Sequence, residues 1–171
     1  QMQLHFLETD VVYFIKDIMK SFDNLAVSRN ISFSINPADD VTNLWIDQGN
    51  FDKIIFNILS NAFKYTPDGG FVKIRIVATD SDVEFHIENS GDRIAETHLD
   101  KIFDRYYQAD IKDANMGSGV GLHLTKMLVG LHHGSISACN TDLGVAFDMK
   151  IPLGNGHLSE EEMSLPENHK D

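Results

Sequence analysis

The sequence predicts an α/β protein, a two-layer sandwich in which a mixed sheet carries three main helices on one face. Three segments place apolar residues at helical spacing, and about six others show the alternation or the short apolar run of a strand. Helices and strands follow one another in mixed order, which is typical of this architecture. The 171 residues, of which 42% are hydrophobic and 23% charged, suffice for one domain with its own core.

The N-terminal part predicts a helix followed by strands. Thr9 and Asp10 precede apolar residues spaced three and four apart from Val11 onwards, which predicts a capped amphipathic helix of about five turns. The strict alternation of residues 31–35 predicts a half-buried strand. A polar, turn-rich stretch separates it from the short apolar segment 44–46, a further short strand.

The middle of the chain predicts a helix and a β-hairpin. A helical pattern covers residues 51–65 and ends before the turn signal Pro-Asp-Gly-Gly at 67–70. Residues 71–77 and 83–87 predict two strands, and the polar residues 79–82 predict the turn between them.

The C-terminal part predicts a third helix over residues 121–132, with Gly134 as its C-cap. His132 and His133 are expected to favour the end of this helix through its dipole. The helix is followed by a final hairpin, with strands at 134–140 and 145–151.

Two polar stretches interrupt this order. Residues 89–119 are irregular apart from a predicted short helix at 97–103, and structureless loops longer than about 12–15 residues tend to be functional lids. Residues 155–171 contain five acidic residues and one Lys with few large apolar residues, which predicts an acidic linker or tail after a domain at 1–154.

Composition excludes several classes of function. The chain has 14 Lys+Arg against 26 Asp+Glu, a net charge of −12, which argues against binding to nucleic acid or to an anionic membrane surface. No apolar run approaches the roughly 20 residues that span a bilayer. The single cysteine, Cys139, allows no intramolecular disulfide, and the histidines lack the spacing of metal ligands.

The helix at 51–65 contains an unusual polar stripe. Asn57 and Asn61 lie four residues apart and Lys64 seven beyond the first, so all three share one helical face. Asparagine is a poor helix former, and two on one face beside a cation indicate a ligand site. The alternative is that both amides simply face water.

Glycines and local charges indicate where an anion could bind. Gly117, Gly119 and Gly121 lie at the start of the third helix, where backbone N–H groups suit a phosphate. A plain hinge or turn is the alternative, and taken alone the glycines favour it. Asn89 lies at the end of a predicted strand, where its side chain could hydrogen-bond to the edge of a nucleotide base. The alternative is that it forms part of a simple β-turn. Basic residues concentrate in the lid segment, which fits an anionic ligand or ordinary solvated charge: these are Arg93, Lys101, Arg105 and Lys112.

Taken in order, five motifs resemble the ATP-binding domain of sensor histidine kinases, within the wider superfamily of gyrase, Hsp90 and MutL ATPases. The segment at 56–67 reads FNILSNAFKYTP and resembles the family's N box. The remaining motifs resemble the first glycine box, the F box, the second glycine box and the third glycine box: ENSGDRI at 88–94, IFDRYY at 102–107, GSGVGL at 117–122 and GVAF at 144–147.

The resemblance implies a Bergerat-type sandwich that binds ATP and Mg²⁺ beneath a long lid. It implies that Asn61 ligates Mg²⁺, and that Asn57, Lys64 and Arg105 have catalytic roles at the metal, its water and the phosphates. It implies cofactor binding by the N box and the first two glycine boxes: Asn61, Lys64, Tyr65, Asn89, Gly91, Ile94, Gly117, Gly119, Gly121 and Leu122. Such a site relies on positioning and charge neutralisation, as phosphoryl transfer requires.

Three residues depart from the family pattern. Asn89 stands where an Asp normally accepts a hydrogen bond from adenine, and a neutral amide accepts it without charge assistance. Arg93 replaces the second Gly of that box, and Val145 replaces a Thr. These changes predict a weakened ATP site, and they leave open a pseudokinase that senses nucleotide or binds a partner.

The resemblance also implies the partners. His5 is not in the family's phosphoacceptor motif, so the γ-phosphate is expected to go to a histidine on a separate dimerisation domain of a homodimeric parent protein. The ending at 151–154 and the acids at 160–162 resemble hybrid sensors of Bacteroides-like bacteria, in which a response-regulator receiver domain follows. The domain is expected to be cytoplasmic, in a parent that is free or membrane-anchored.

Overall fold

The computed structural model describes residues 3–105 and 121–163. The helices are α1 (Val11–Met19), α2 (Asp23–Ser28), α3 (Gln48–Tyr65), α4 (Gly121–Leu131) and α5 (Glu160–Met163), with 3₁₀ turns at Lys20–Phe22 and Glu96–His98. The strands are β1 (Leu7–Asp10), β2 (Ser32–Pro37), β3 (Asn43–Ile46), β4 (Phe71–Ala78), β5 (Asp82–Ser90), β6 (Ser135–Asn140) and β7 (Gly144–Pro152).

Within these residues, a five-stranded mixed sheet has the order β2-β4-β5-β7-β6. The pair β2 and β4 is parallel, and the other neighbours are antiparallel. A separate antiparallel pair joins β1 to β3. The prediction of an α/β sandwich with a mixed sheet and helices on one face is confirmed.

The hydrophobic core lies between this sheet and the helices. Alternate residues of β4 and β5, such as Ile74 and Phe85, are buried against α3, which contributes Phe51, Ile54 and Ile58. The opposite face of the sheet is polar and charged, as the period of two requires. The layer of helices therefore determines which face of the sheet is buried.

The predicted first helix is divided in two. Asp10 caps α1 by accepting a hydrogen bond from the Val12 N–H at 3.1 Å, as the sequence predicts. A 3₁₀ turn at Lys20–Phe22 then separates α1 from α2, where the apolar spacing predicts one continuous helix. Phe22 in this turn stacks on Phe63 with ring centroids 5.2 Å apart, so tertiary packing accompanies the change of winding.

Helix α3 begins three residues earlier than the pattern at 51–65 predicts. The Asp47 side chain accepts a hydrogen bond from the Asn50 N–H at 3.0 Å and caps the helix before its first apolar residue. The predicted short helix at 97–103 is wrong, because regular winding there is limited to the 3₁₀ turn at Glu96–His98.

The end of α4 also differs from the prediction. His133, with a φ of 63°, adopts the left-handed conformation that was expected of Gly134. Gly134 serves a different purpose, because a Cβ at this position would overlap the Lys150 carbonyl oxygen. His132 is fully buried rather than exposed at the helix dipole.

Residues 155–163, in the stretch predicted as linker or tail, pack against the domain. Leu158 forms a small cluster with Leu4 and Phe6, and the Phe6 N–H donates to the Glu162 carbonyl at 2.7 Å. His133 Nε2 lies 2.9 Å from Glu162 Oε2. No helix in residues 3–105 and 121–163 is both long and apolar enough to cross a membrane.

Candidate functional site

The polar stripe of α3 lies along the border of the buried face. Asn57, Asn61 and Lys64 are each half-buried, between core residues such as Ile58 and exposed residues such as Phe56. The amide Nδ2 of Asn57 approaches the Gly121 carbonyl oxygen at 3.5 Å. The N-terminal end of the stripe, at Asn57, therefore faces the first turn of α4.

A cleft of about 380 Å³ opens beside the end of this stripe. Two side chains of the predicted site line it together, Lys64 and Tyr65, and Lys64 Nζ lies 5.2 Å from the centre of the Tyr65 ring. The cleft is lined by Arg29, Lys64, Tyr65, Thr66, Pro67, Asp68, Gly91 and Asp92. Two cationic and two acidic side chains share this lining, and Arg29 is paired with Asp68, so Lys64 is the candidate contact for an anionic ligand.

Gly91 connects this cleft to the end of β5. It has a φ of 133°, and a Cβ there would lie 2.7 Å from the Tyr65 carbonyl oxygen. The Gly91 N–H donates to the Leu143 carbonyl at 3.0 Å. Glycine is thus needed both for the backbone conformation and for the close approach of the two chain segments.

Asn89 lies on the core side of β5, two residues before Gly91, and is only 3% exposed. Its Cα partners on the flanking strands are Val72 and Val145, so it is a polar side chain between apolar neighbours. Its Nδ2 donates to the Ser90 carbonyl at 3.1 Å. A buried amide in such surroundings is informative because burying it without a partner costs stability.

The segment after β5 is fastened to the turn between β6 and β7. Asn140 and Ile94 exchange two hydrogen bonds, with the Ile94 N–H donating to Asn140 Oδ1 at 2.9 Å and Asn140 Nδ2 donating to the Ile94 carbonyl at 2.7 Å. Arg93 Nη2 donates to the Asp142 carbonyl at 3.2 Å. The side chain that replaces the expected glycine is thus bound to the hairpin turn.

The described part of the predicted F box, residues 102–105, begins with two residues that pack into the core. Ile102 and Phe103 are buried, and the Phe103 ring contacts Phe147 edge-on with centroids 6.0 Å apart. From α4, His123 Nδ1 lies 3.3 Å from the Phe103 carbonyl oxygen. Arg105 follows on the surface and is exposed.

The second glycine box is only partly described. Gly117 and Gly119 lie outside the described residues, as does Lys112. Gly121 begins α4, where its carbonyl accepts from the Thr125 hydroxyl at 2.8 Å, and Leu122 packs against the core.

The side chains near the polar stripe determine whether the predicted Mg²⁺ could bind there. No group of three or more His, Cys, Asp or Glu side chains that could hold a metal ion occurs in residues 3–105 and 121–163. An amide oxygen from Asn61 fits an ion that keeps several waters and takes its other ligands from phosphates, which is how Mg²⁺ usually binds. The residues present therefore fit Mg²⁺ that arrives with a nucleotide.

A buried histidine connects the two helices that flank the site. His132 Nε2 accepts a hydrogen bond from the Asp47 N–H at 3.2 Å, and its Nδ1 donates to the Leu128 carbonyl at 2.8 Å. Burial lowers the pKa of His132 below its ordinary value of 6.5. The ring is therefore a neutral crosslink between the start of α3 and the end of α4.

Sequence reasoning missed His132, Asn140 and Arg29 as residues that organise the site. The partners of Asn140 and Arg29 are 46 and up to 39 residues away in the chain, so local periodicity carries no signal for them. For Arg29 one indirect signal existed: Pro67, which has no N–H, directly follows Thr66, the C-cap of α3.

Comparison with known proteins gives a consistent result. A sequence profile described as "Histidine kinase-, DNA gyrase B-, and HSP90-like ATPase" matches residues 46–155, more than half of the chain. Histidine kinase P4 of Formosa agariphila is 33% identical over 169 residues, which cover 95% of this chain and 12% of that protein. Sensor histidine kinase TmoS of Ectopseudomonas mendocina is 31% identical over 176 residues, which cover 98% of this chain and 18% of that protein.

Among solved structures, the nucleotide-free catalytic domain of histidine kinase ThkA superposes with a TM-score of 0.81 at 24% identity. The match covers 88% of this chain and 97% of the ThkA chain. It shows the same fold over nearly the whole of that domain. By contrast, the chain spans less than a fifth of the length of the two curated relatives.

Proposed function

Because this chain belongs to the family of histidine kinase-, DNA gyrase B- and HSP90-like ATPases, we propose that it is the ATP-binding catalytic domain of a two-component sensor histidine kinase. In this role it binds ATP with Mg²⁺ and presents the γ-phosphate to a histidine on another domain. The proposal goes beyond family membership, which includes proteins with other uses of ATP.

The observation that carries this proposal is the convergence at the end of α3. Lys64, Tyr65 and Gly91 line one cleft, although the third is 26 residues beyond the second in sequence. The buried amide of Asn89 lies near the end of β5, two residues before Gly91, which directly follows that strand. The Lys64 ammonium, a close backbone approach and one buried polar group suit a phosphate-bearing ligand with a base.

The proposed roles follow from the chemistry of each side chain. The Asn61 amide oxygen would hold Mg²⁺, which neutralises phosphate charge when bound. Asn57 would orient water beside it, and Lys64 and Arg105 would neutralise phosphate oxygens. Asn89 would accept a hydrogen bond from the adenine amino group. Gly117 and Gly119 would offer backbone N–H groups, as expected from the sequence alone.

Two other functions are distinguishable from this one. An ATP-hydrolysing clamp of the gyrase kind would need a general base four residues before Asn61, and the amide of Asn57 cannot accept a proton in that role. A nucleotide-sensing pseudokinase has support in one contact, because Val145 rather than a hydroxyl-bearing residue is the direct cross-strand partner of Asn89.

The proposed partners are supported by the length of the relatives. Since the chain matches only 12% and 18% of their lengths, other domains must complete them. We expect a phosphoacceptor dimerisation domain in a homodimeric parent, a response-regulator receiver domain and a cytoplasmic location. The proposed domain is 1–154 with a tail at 155–171, of which the part up to Met163 packs on the domain through Leu158.

The experiment has two parts. Isothermal titration of Mg²⁺-ATP into the chain measures binding, and incubation with radiolabelled ATP and the parent's phosphoacceptor domain measures transfer. Binding followed by acid-labile, base-stable labelling of that domain is the expected result. Binding without transfer would favour the pseudokinase, and absence of binding at millimolar ATP would exclude both.

A further inference from the structure

Arg29, the C-cap of α2, closes over the C-terminal end of α3. Its Nη1 donates to the Phe63 carbonyl and its Nη2 to the Thr66 carbonyl, and its Nε lies 2.8 Å from Asp68 Oδ1. In return, the Arg29 carbonyl accepts from the Gly69 N–H at 3.0 Å. One residue thus contacts four residues of the segment that ends the helix.

The reason for this arrangement is Pro67. In a continuing helix, the Phe63 carbonyl would accept from the N–H of the residue four positions later, which is Pro67 and has none. Proline also drives Thr66 into the extended conformation, with a ψ of 127°. The guanidinium supplies two of the donors that the chain itself lacks here.

This segment carries residues of the candidate site. Lys64 and Tyr65 lie between the two carbonyls that Arg29 holds, and the Tyr65 carbonyl is the atom against which Gly91 packs. Arg29 itself lines the cleft with them. A shift of the last turn of α3 would therefore move two site side chains and the start of the segment after β5 together.

We propose that Arg29 is a positioning residue for the nucleotide site. Its two hydrogen bonds to the end of α3 hold Lys64 and Tyr65 in register with Gly91, and so maintain the shape of the cleft before ligand binds. This inference rests on the proposed function, because the ligand is taken to be the nucleotide. Preorganised side chains bind more tightly because less ordering is required on binding.

The ion pair with Asp68 is a minor part of this arrangement. The Asp68 side chain is 78% exposed whereas that of Arg29 is 27% exposed, and exposed pairs contribute little. The charge-assisted bonds to the two carbonyls are the ones that fix the backbone. The positioning of the end of α3 therefore rests on the bonds from Arg29 to the Phe63 and Thr66 carbonyls.

The decisive variant is Arg29→Met, which keeps an apolar stem and removes all donors. We expect its Kd for Mg²⁺-ATP to rise about tenfold, as measured by titration at a temperature where circular dichroism shows the variant folded. The matched control is Arg75→Met, which removes the same charge from the exposed face of β4. A lower Tm with unchanged Kd would show that Arg29 only caps the helix, and would overturn the proposal.

Arg29→Lys keeps the charge but lacks the planar fork, and it provides the test if Arg29→Met does not fold. We expect about a threefold rise in Kd, with altered amide signals at Lys64, Tyr65 and Gly91 in two-dimensional NMR spectra. Wild-type affinity with unaltered signals would overturn the positioning role. If the wild-type chain itself fails to bind nucleotide, the proposed function fails first, which the same titration shows separately.

A second variant tests the role of Pro67. Pro67→Ala restores an N–H at the position where the Phe63 carbonyl lacks a helical donor. We therefore expect Arg29→Met to lower Tm less in the Pro67→Ala background than in the wild-type background. Equal losses in both backgrounds would contradict the account of why Arg29 is needed.

Discussion

The backbone N–H of Asp47 and the Nε2 of His132 are joined by a hydrogen bond of 3.2 Å, across 85 positions of sequence. The first residue caps α3, which carries the polar stripe, and the second ends α4, which faces that stripe. With Nδ1 donating to the Leu128 carbonyl, the ring must be neutral to satisfy both partners. The link between α3 and α4 thus requires that His132 Nε2 carry no proton.

This link makes stability depend on pH. Burial lowers the pKa of His132 in the folded chain, whereas in the unfolded chain it returns to about 6.5. Between these two values the unfolded state binds more protons, so the free energy of unfolding rises with pH. The stabilisation is complete above about pH 6.5 and is lost as the pH falls below it, by at most about 1.4 kcal/mol per pH unit.

Denaturant unfolding between pH 5 and pH 7.5 checks this prediction. His132→Gln is expected to reduce the slope of unfolding free energy against pH. Equal slopes for wild type and His132→Gln would show that another group controls acid stability.

Asn61→Ala should abolish the effect of Mg²⁺ on ATP affinity. The proposed metal ligand is the amide oxygen, and alanine has none. Titrations with ATP in Mg²⁺ and in EDTA should give the same Kd for this variant and different values for wild type. Asn50→Ala, in the first turn of the same helix, is the control and should retain the difference. A retained difference in Asn61→Ala would place the metal elsewhere.

Asn89→Asp should tighten ATP binding about fivefold, equal to roughly 1 kcal/mol, because a carboxylate accepts a stronger hydrogen bond than an amide. Asn36→Asp, on the exposed side of β2, adds the same charge away from the site and should have no effect. Unchanged affinity in Asn89→Asp, with the fold intact, would show that this side chain does not face the base.

Replacing each of two glycines near the end of α4 by alanine should change the free energy of unfolding in opposite directions. A Cβ on Gly134 would overlap the Lys150 carbonyl, so Gly134→Ala should lower the free energy of unfolding by at least about 2 kcal/mol. Gly130 has open space, and Gly130→Ala should raise it by about 0.5–1 kcal/mol through helix propensity. A small effect of Gly134→Ala would mean that β7 can withdraw from the end of the helix.

The sequence predicts those parts of the fold whose signals are local. The helix at 51–65 and the strands at 71–77 and 83–87 lie within three residues of the observed bounds, because periodicity and a Pro-Asp-Gly-Gly turn define them. Strand β1 was missed because it is four residues long and half exposed, and it exists through its pairing with β3. Pairing between two such short strands produces no alternation of apolar and polar residues that could be recognised in the sequence.

In the candidate site, too, the sequence predicts the features that depend on local spacing and misses the long-range contacts. The spacing of Asn57, Asn61 and Lys64 places them on one stripe of α3 in the sequence and in the structure. The residues that hold the stripe in place, such as Arg29 and His132, act on backbone atoms far along the chain. Every residue has a backbone carbonyl, and nearly every residue a backbone N–H, so the sequence does not indicate which backbone group a side chain such as Arg29 or His132 will contact.

The contact between the Phe6 N–H and the Glu162 carbonyl brings the two ends of the described chain together. A short flexible linker should therefore be able to join residues near these ends, with new termini opened at the exposed Asp80–Ser81 turn between β4 and β5. A linker across this contact would close the backbone of the domain into a ring. The new termini would lie between Asp68 and Gly91, so a permuted chain that still binds nucleotide would show that the two segments lining the cleft do not need their direct connection through β4 and β5.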